Sequence, residues 1–215
     1  MEPVSDAGKR AAAEAAAALV QDGMRVGLGT GSTVAFLLPA LAGRDVRCVA
    51  TSVATEVAAR GLGLAVEPFE ALDALDIAID GADEVTPDGW LIKGGGGAHV
   101  REKVVAAAAG RFVVIADAAK AVDALTWPVP LELLAFGLPA TLRALEVARV
   151  REGAPPSPDG GVIADWHGDV SDPAAAAARL AVTPGVVDHG LFPPSLVHDV
   201  LLGDAEGRVE HRVLG

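Results

Sequence analysis

Met24-Arg-Val-Gly-Leu28 followed by Gly29-Thr-Gly-Ser-Thr33 is the stretch from which the fold is read. Its first five residues predict a short buried strand, the next a glycine-rich turn, and Thr33 to Leu41 a helix. The alternation continues outward. Lys9 to Gln21 is an alanine-rich helical pattern ending near Gly23, Val46 to Ala50 reads as a strand and Thr55 to Arg60 as a helix. Leu75 to Ile79 is strand-like up to Asp80, His99 to Ala109 helical, and Phe112 to Ala116 an apolar strand. Strands separated by helices of this length imply a parallel sheet covered on both faces. Such sheets bind ligands at the carboxyl ends of their strands.

After Trp127-Pro-Val-Pro130 the rhythm changes. A strand near Leu131 to Ala135, a helix near Pro139 to Leu145 and strands near Val147 to Arg151 and Val162 to Trp166 come next. A helix over Pro173 to Ala181 and a strand over Val186 to Leu191 complete a βαββαβ order, which is the ferredoxin-like arrangement. Pro155 to Gly161 reads as a hairpin loop within it, an interdomain linker being the plainer alternative. Val197 to Leu202, a turn at Asp204 to Gly207 and Val209 to Val213 form a closing hairpin. The boundaries expected from these signals are 1–127 with 203–215 for the larger α/β unit and 128–202 for the smaller α+β unit.

Composition narrows the function classes. The 17 Lys and Arg against 29 Asp and Glu leave a net charge of −12, which argues against nucleic acid as a partner. A single cysteine, Cys48, permits neither an internal disulfide nor a thiolate metal cluster. The five histidines lack H-x-H or H-E-x-x-H spacing, so no metal is expected. The longest uncharged stretch, Val26 to Gly43, is interrupted by glycines, hydroxyls and Pro39, and no membrane span is expected. Met1 to Arg10 carries no secretory pattern, and a soluble, cytoplasmic protein is the expectation.

Four polar clusters carry the chemistry. In Gly27-Leu-Gly-Thr-Gly-Ser-Thr33 the glycines permit close backbone approach, and Thr30, Gly31, Ser32 and Thr33 offer N–H and hydroxyl groups to a phosphate. A tight turn with a capped helix is the competing reading. Asp80-Gly-Ala-Asp-Glu84 sets Asp80 at a strand end, and Gly81 and Ala82 turn the chain so that Asp83 returns to the same crevice. A solvated acidic turn would look the same. Lys93-Gly94-Gly95-Gly96-Gly97 combines a cation with a glycine run too costly in entropy for a linker pressed between a strand and a helix. Glu102, in Ala98-His-Val-Arg-Glu-Lys103, falls in the first turn of the next helix, where an acid also suits the helix dipole. Each cluster has a structural explanation alone. Together they supply a phosphate cradle, carboxylates and a lysine, mostly at strand ends.

These segments, with Ile115-Ala-Asp-Ala-Ala-Lys120, resemble the type A ribose-5-phosphate isomerase family in the same order and nearly end to end. Softer matches are Pro128-Val-Pro-Leu-Glu132, Asp165-Trp-His-Gly168 and Pro184-Gly-Val-Val187 with Gly190-Leu-Phe192. The resemblance implies a Rossmann-like α/β domain with a smaller ferredoxin-like domain inserted before the C-terminal strands. It also implies cofactor-free interconversion of ribose 5-phosphate and ribulose 5-phosphate in the pentose phosphate pathway. By the same resemblance Glu102 moves the proton between C2 and C1 and Asp80 assists ring opening. Asp83 and Lys93 polarise the oxygens, Thr30 to Thr33 and the Lys93 to Gly96 loop hold the substrate, and Lys120 and Lys9 lie near its phosphate. The family implies a homo-oligomer, a dimer or tetramer. Two alternatives compete: an isomerase or deaminase of another sugar phosphate, and a non-catalytic sugar-phosphate sensor.

Overall fold

The computed structural model describes residues 5–72 and 74–215. In chain order it runs α1 (Asp6–Ala17), β1 (Arg25–Leu28), α2 (Ser32–Leu41), β2 (Arg47–Ala50), α3 (Val53–Gly61), β3 (Ala65–Val66), β4 (Ile77–Asp80), β5 (Glu84–Val85) and β6 (Leu91–Ile92). There follow α4 (His99–Ala107), β7 (Phe112–Asp117), β8 (Val129–Leu133), α5 (Leu138–Leu145), β9 (Ala148–Val150), β10 (Val162–Trp166) and α6 (Pro173–Ala181). The chain ends in β11 (Val186–His189), β12 (Leu191–Phe192), β13 (Asp199–Gly203) and β14 (Val209–Val213).

The main sheet has seven strands in the order β14-β13-β7-β4-β1-β2-β3, parallel except for β14. Both of its faces are buried. Along β7, Val113 and Ile115 enter one core with Ala12, Ala16, Leu37 and Leu41 of α1 and α2. Phe112, Val114 and Ala116 enter the other with Val105 and Ala106 of α4. An unbroken apolar run is therefore what this strand requires, and alternation would have left polar groups against a helix. From β1 the chain passes to β2 on one side, and β4 later docks on the other, with Leu28 opposite Ile79. The carboxyl ends of β1 and β4 thus meet at a topological switch point, where the loops diverge and leave a crevice.

The second sheet is four-stranded and antiparallel in the order β11-β8-β10-β9, the ferredoxin-like arrangement. Its core joins Leu131, Leu133, Trp166 and Leu180 to Ile92 and Leu191. Those last two belong to a three-stranded sheet, β12-β6-β5, that reading the sequence did not anticipate because its strands are only two residues long. Residues 155–161 fall between the paired strands β9 and β10 and form their connecting loop. One boundary needs correction: a division at 202/203 cuts β13, which pairs with β7 along its whole length. Its hairpin partner β14 attaches to the main sheet only through β13, and we propose closing the smaller unit before Asp199.

Candidate active site

The crevice is a cleft of about 250 Å³ lined by Lys9, Thr30 to Thr33, Gly81 to Asp83, Lys93 to Gly96, Glu102, Asp117 and Lys120. β1 delivers the first glycine loop. Gly29 has no room for a side chain, since a Cβ there would lie 1.9 Å from the Asp80 carboxyl carbon. Gly31 has φ +119°, a conformation that favours glycine, and it opens α2 with no side-chain cap. The first N–H groups of α2 are consequently unclaimed by a capping oxygen at the edge of the cleft.

Asp80 ends β4 and is 3 % exposed. Its Oδ1 accepts N–H bonds from Thr30 at 3.0 Å and Gly81 at 2.7 Å, and its Oδ2 lies 2.9 Å from Lys93 Nζ. It stands behind the cleft wall, and of the described residues to which the resemblance gives a role it alone does not line the cleft. Lys93 follows β6, is equally buried, and also donates to the Gly81 carbonyl. Its ammonium lies 3.2 Å from Glu102 Oε2, so one cation sits between two buried carboxylates.

Burial is the largest influence on all three groups. It pushes the Glu102 carboxyl up to about 8, helped by the Asp80 charge and opposed by Lys93. Burial likewise raises Asp80, against the pull of Lys93 and three hydrogen bonds. For Lys93 burial disfavours the charge, but Asp80 and Glu102 together outweigh it and hold the ammonium above the usual lysine range. The site therefore carries a carboxyl that ionises near neutral pH beside a permanent cation, the pairing suited to moving a proton and stabilising an oxyanion.

Asp83 is half-buried on the cleft wall and accepts the Gly95 N–H at 2.8 Å. Lys9 and Lys120 also line the cleft, Lys9 beside Asp6 at 3.5 Å and Lys120 with its ammonium 5.2 Å from the Trp127 ring centroid. His99, next to the site in sequence, is fully buried outside the cleft. A Cβ on Gly94 would come within 2.8 Å of its Nδ1, so the imidazole packs under the glycine loop.

Three residues at the site were not singled out from the sequence. Asp117 lines the cleft and accepts Ser5 N–H at 2.8 Å, tying the start of α1, and with it Lys9, to the end of β7. It ends a strand as Asp80 does, and that position was a usable signal. Thr51 meets Thr30 hydroxyl to hydroxyl at 2.8 Å, and Arg151 reaches the Gly94 and Gly95 carbonyls. Neither carries a local sequence signal.

Comparison with known proteins places the chain in a family. The family model described as ribose 5-phosphate isomerase A (phosphoriboisomerase A) matches residues 47–207. The ribose-5-phosphate isomerase A of Methylorubrum extorquens is 47 % identical, covering 93 % of each chain. The enzyme of Methanocaldococcus jannaschii superposes with TM-score 0.89 at 33 % identity, over 95 % of this chain and 97 % of that one. A D-ribose-5-phosphate isomerase in complex with phospho-erythronic acid superposes with TM-score 0.91 at 32 % identity, over 99 % and 100 %. No helix among the described residues is long and apolar enough to cross a membrane. The chain belongs to the ribose 5-phosphate isomerase A family, and its activity is that of an aldose–ketose isomerase acting on ribose 5-phosphate.

Proposed function

We propose that Glu102 is the base of this isomerisation and that Lys93 holds the developing charge. The observation that carries the reading is the buried Asp80–Lys93–Glu102 array, with its single ammonium between two carboxylates. With the sugar open, Glu102 takes the proton from C2, and the electron pair forms a C1–C2 double bond while the C1 carbonyl becomes an enediolate oxygen. Lys93 and the N–H groups of the glycine loop offset that charge. Glu102 then returns the proton to C1 as the C2 hydroxyl loses its proton to O1, leaving a C2 ketone. Asp83, on the cleft wall, binds the hydroxyls at this end. Asp80 acts on ring opening through Lys93, because its Oδ1 is occupied by backbone N–H groups and its Oδ2 meets the ammonium.

The phosphate end is assigned to Lys9, Lys120 and the Thr30 to Thr33 backbone, all on the cleft wall. Phospho-erythronic acid, bound by the structural neighbour, joins a phosphate to a carboxylate that resembles the enediolate, and a cleft lined by Lys9, Lys93 and Lys120 suits a molecule with two anionic groups. The family also supports a place in the pentose phosphate pathway, a cytoplasmic location and a dimer or tetramer; sedimentation of the purified chain reads the last. The deciding experiment for the site is Glu102→Gln assayed with ribose 5-phosphate. Substrate affinity is expected within about tenfold of wild type while kcat falls at least about 10²-fold. Near-normal turnover would remove Glu102 from the mechanism.

A further inference from the structure

We infer that Arg151 is a positioning residue for the isomerisation: it grips the carbonyls of Gly94 and Gly95 and, through the Gly94–Gly95 peptide, sets Asp83. Arg151 directly follows β9, on the four-stranded sheet. Its Nε and Nη2 bind the two oxygens of Asp165 on β10 at 2.9 and 2.5 Å. That fork fixes the guanidinium plane and leaves Nη1 to reach the Gly94 carbonyl at 3.1 Å and the Gly95 carbonyl at 2.9 Å.

The geometry of the peptide unit carries the consequence. No peptide bond among the described residues is cis, so the C=O and N–H of each unit point in opposite directions. The Gly94–Gly95 unit turns its carbonyl to Arg151 and its N–H to Asp83 Oδ2 at 2.8 Å. A rotation of that plane would break both bonds at once. The Gly95–Gly96 unit is held by its carbonyl in the same way, which directs the Gly96 N–H away from Arg151. Four consecutive glycines have no side chains with which to hold themselves and lose the most entropy when ordered, so their conformation depends on outside ties. Lysine would not substitute for this residue, since a point charge cannot hold a carboxylate and two carbonyls in one plane.

This inference rests on the reading that Asp83 handles substrate oxygens, and the experiment separates the two. Steady-state kinetics with ribose 5-phosphate are measured on the full chain for Arg151→Gln, Arg151→Lys, Asp83→Ala and the double variant Arg151→Gln/Asp83→Ala. The control is Arg111→Gln, which breaks the comparable Arg111–Asp199 fork far from the cleft. Arg151→Gln is expected to lower kcat/KM by about 10–10²-fold, as a small misplacement of a reacting group does. Arg151→Lys should recover less than half of that loss on a logarithmic scale, and Arg111→Gln should stay within about twofold of wild type. Adding Arg151→Gln to Asp83→Ala should cost no more than about threefold further, because the clamp acts through the residue already removed. Losses that multiply, or an Arg151→Gln enzyme with wild-type kcat/KM beside an impaired Asp83→Ala, would overturn the clamp alone. A fully active Asp83→Ala would overturn the role of Asp83 and the clamp with it. Should Arg151→Gln fail to fold, Asp165→Asn, which frees the fork and keeps the guanidinium, is combined with Asp83→Ala and judged by the same criteria.

Discussion

The ammonium of Lys93 lies 3.2 Å from the carboxylate of Glu102, both side chains almost wholly out of water. The two come from opposite ends of the glycine run, nine residues apart in sequence, and the turn at Gly94 to Gly97 folds one onto the other. The base we propose, which takes a proton and gives it back, is thus held against the cation we propose for the developing charge.

Replacing Lys93 by methionine keeps much of the side-chain volume and leaves Asp80 and Glu102 buried without their shared cation. We expect kcat to fall at least about 10²-fold and stability to fall by about 3–5 kcal/mol. Turnover and urea unfolding at neutral pH measure both. Wild-type kcat in a folded Lys93→Met protein would show that the ammonium takes no part in the reaction.

The pH dependence follows from Glu102. Its carboxyl is pushed up to about 8 by burial and by the Asp80 charge, and only the ionised form accepts a proton. For ribose 5-phosphate kcat/KM should therefore climb about tenfold per pH unit below that value and level off above it. Stability has the opposite sign. The folded protein binds the Glu102 proton more tightly than the unfolded chain does, so stability is lost as pH rises from the ordinary glutamate range through about 8. Glu102→Gln should remove that loss, and a kcat/KM profile flat across neutral pH would contradict the assignment.

Acid instability should trace to two buried imidazoles. Burial, with the Lys103 charge second, holds both His99 and His189 down to about 4, against the attraction of Asp188. Both are neutral when folded, so stability is present above the ordinary histidine value of 6.5 and lost as pH falls toward about 4. Tm measured across that interval should fall less steeply in His99→Leu than in the wild type. An unchanged slope would place the acid limb elsewhere.

Two glycines, Gly29 just after β1 and Gly61 at the end of α3, separate space from flexibility. An alanine at Gly29 would collide with Asp80 and displace the carboxylate that holds Lys93, so Gly29→Ala should lose at least about 10-fold in kcat/KM as well as stability. At Gly61, the last residue of α3, nothing lies within 4 Å and φ is not positive, so Gly61→Ala should stabilise by about 0.4–1 kcal/mol with activity unchanged. Equal effects of the two substitutions would refute the reading.

Lys120 rests against the face of Trp127, whose backbone N–H is bound by the buried Glu84 at 3.0 Å. Lys120→Ala should raise KM for ribose 5-phosphate about 10-fold or more, and Trp127→Ala about 2–5-fold, the worth of an exposed cation–π contact. Alanine at the exposed Arg208 serves as the comparison. A KM insensitive to Lys120 would move the phosphate elsewhere in the cleft.

The α/β alternation was legible because each layer imposes its own period. Phe112 to Asp117 is apolar nearly throughout since helices cover both faces, and Pro173 to Ala181 matches α6 residue for residue. The two-residue strands β5, β6 and β12 were not legible, because a pair of residues has no period to detect. β13 was readable as half of a hairpin with β14. Its parallel pairing with β7, 86 residues earlier in the register Asp199 to Val113, left no mark on its own residues.

The site divides along the same line. Residue types at chain positions adjacent to glycine turns, namely Thr30 to Thr33, Asp80, Asp83, Lys93 and Glu102, were determined by the sequence, because short-range turn chemistry demands glycine beside the groups it presents. Which of these line the cleft and which stand behind its wall was decided only by tertiary structure. Asp80 retreats beneath Lys93, His99 disappears under Gly94, and Arg151 arrives from another sheet to hold a loop fifty-odd residues earlier. Burial and long-range contact are properties of the packed whole. They set the proton affinity of Glu102, which no reading of its neighbours along the chain could supply.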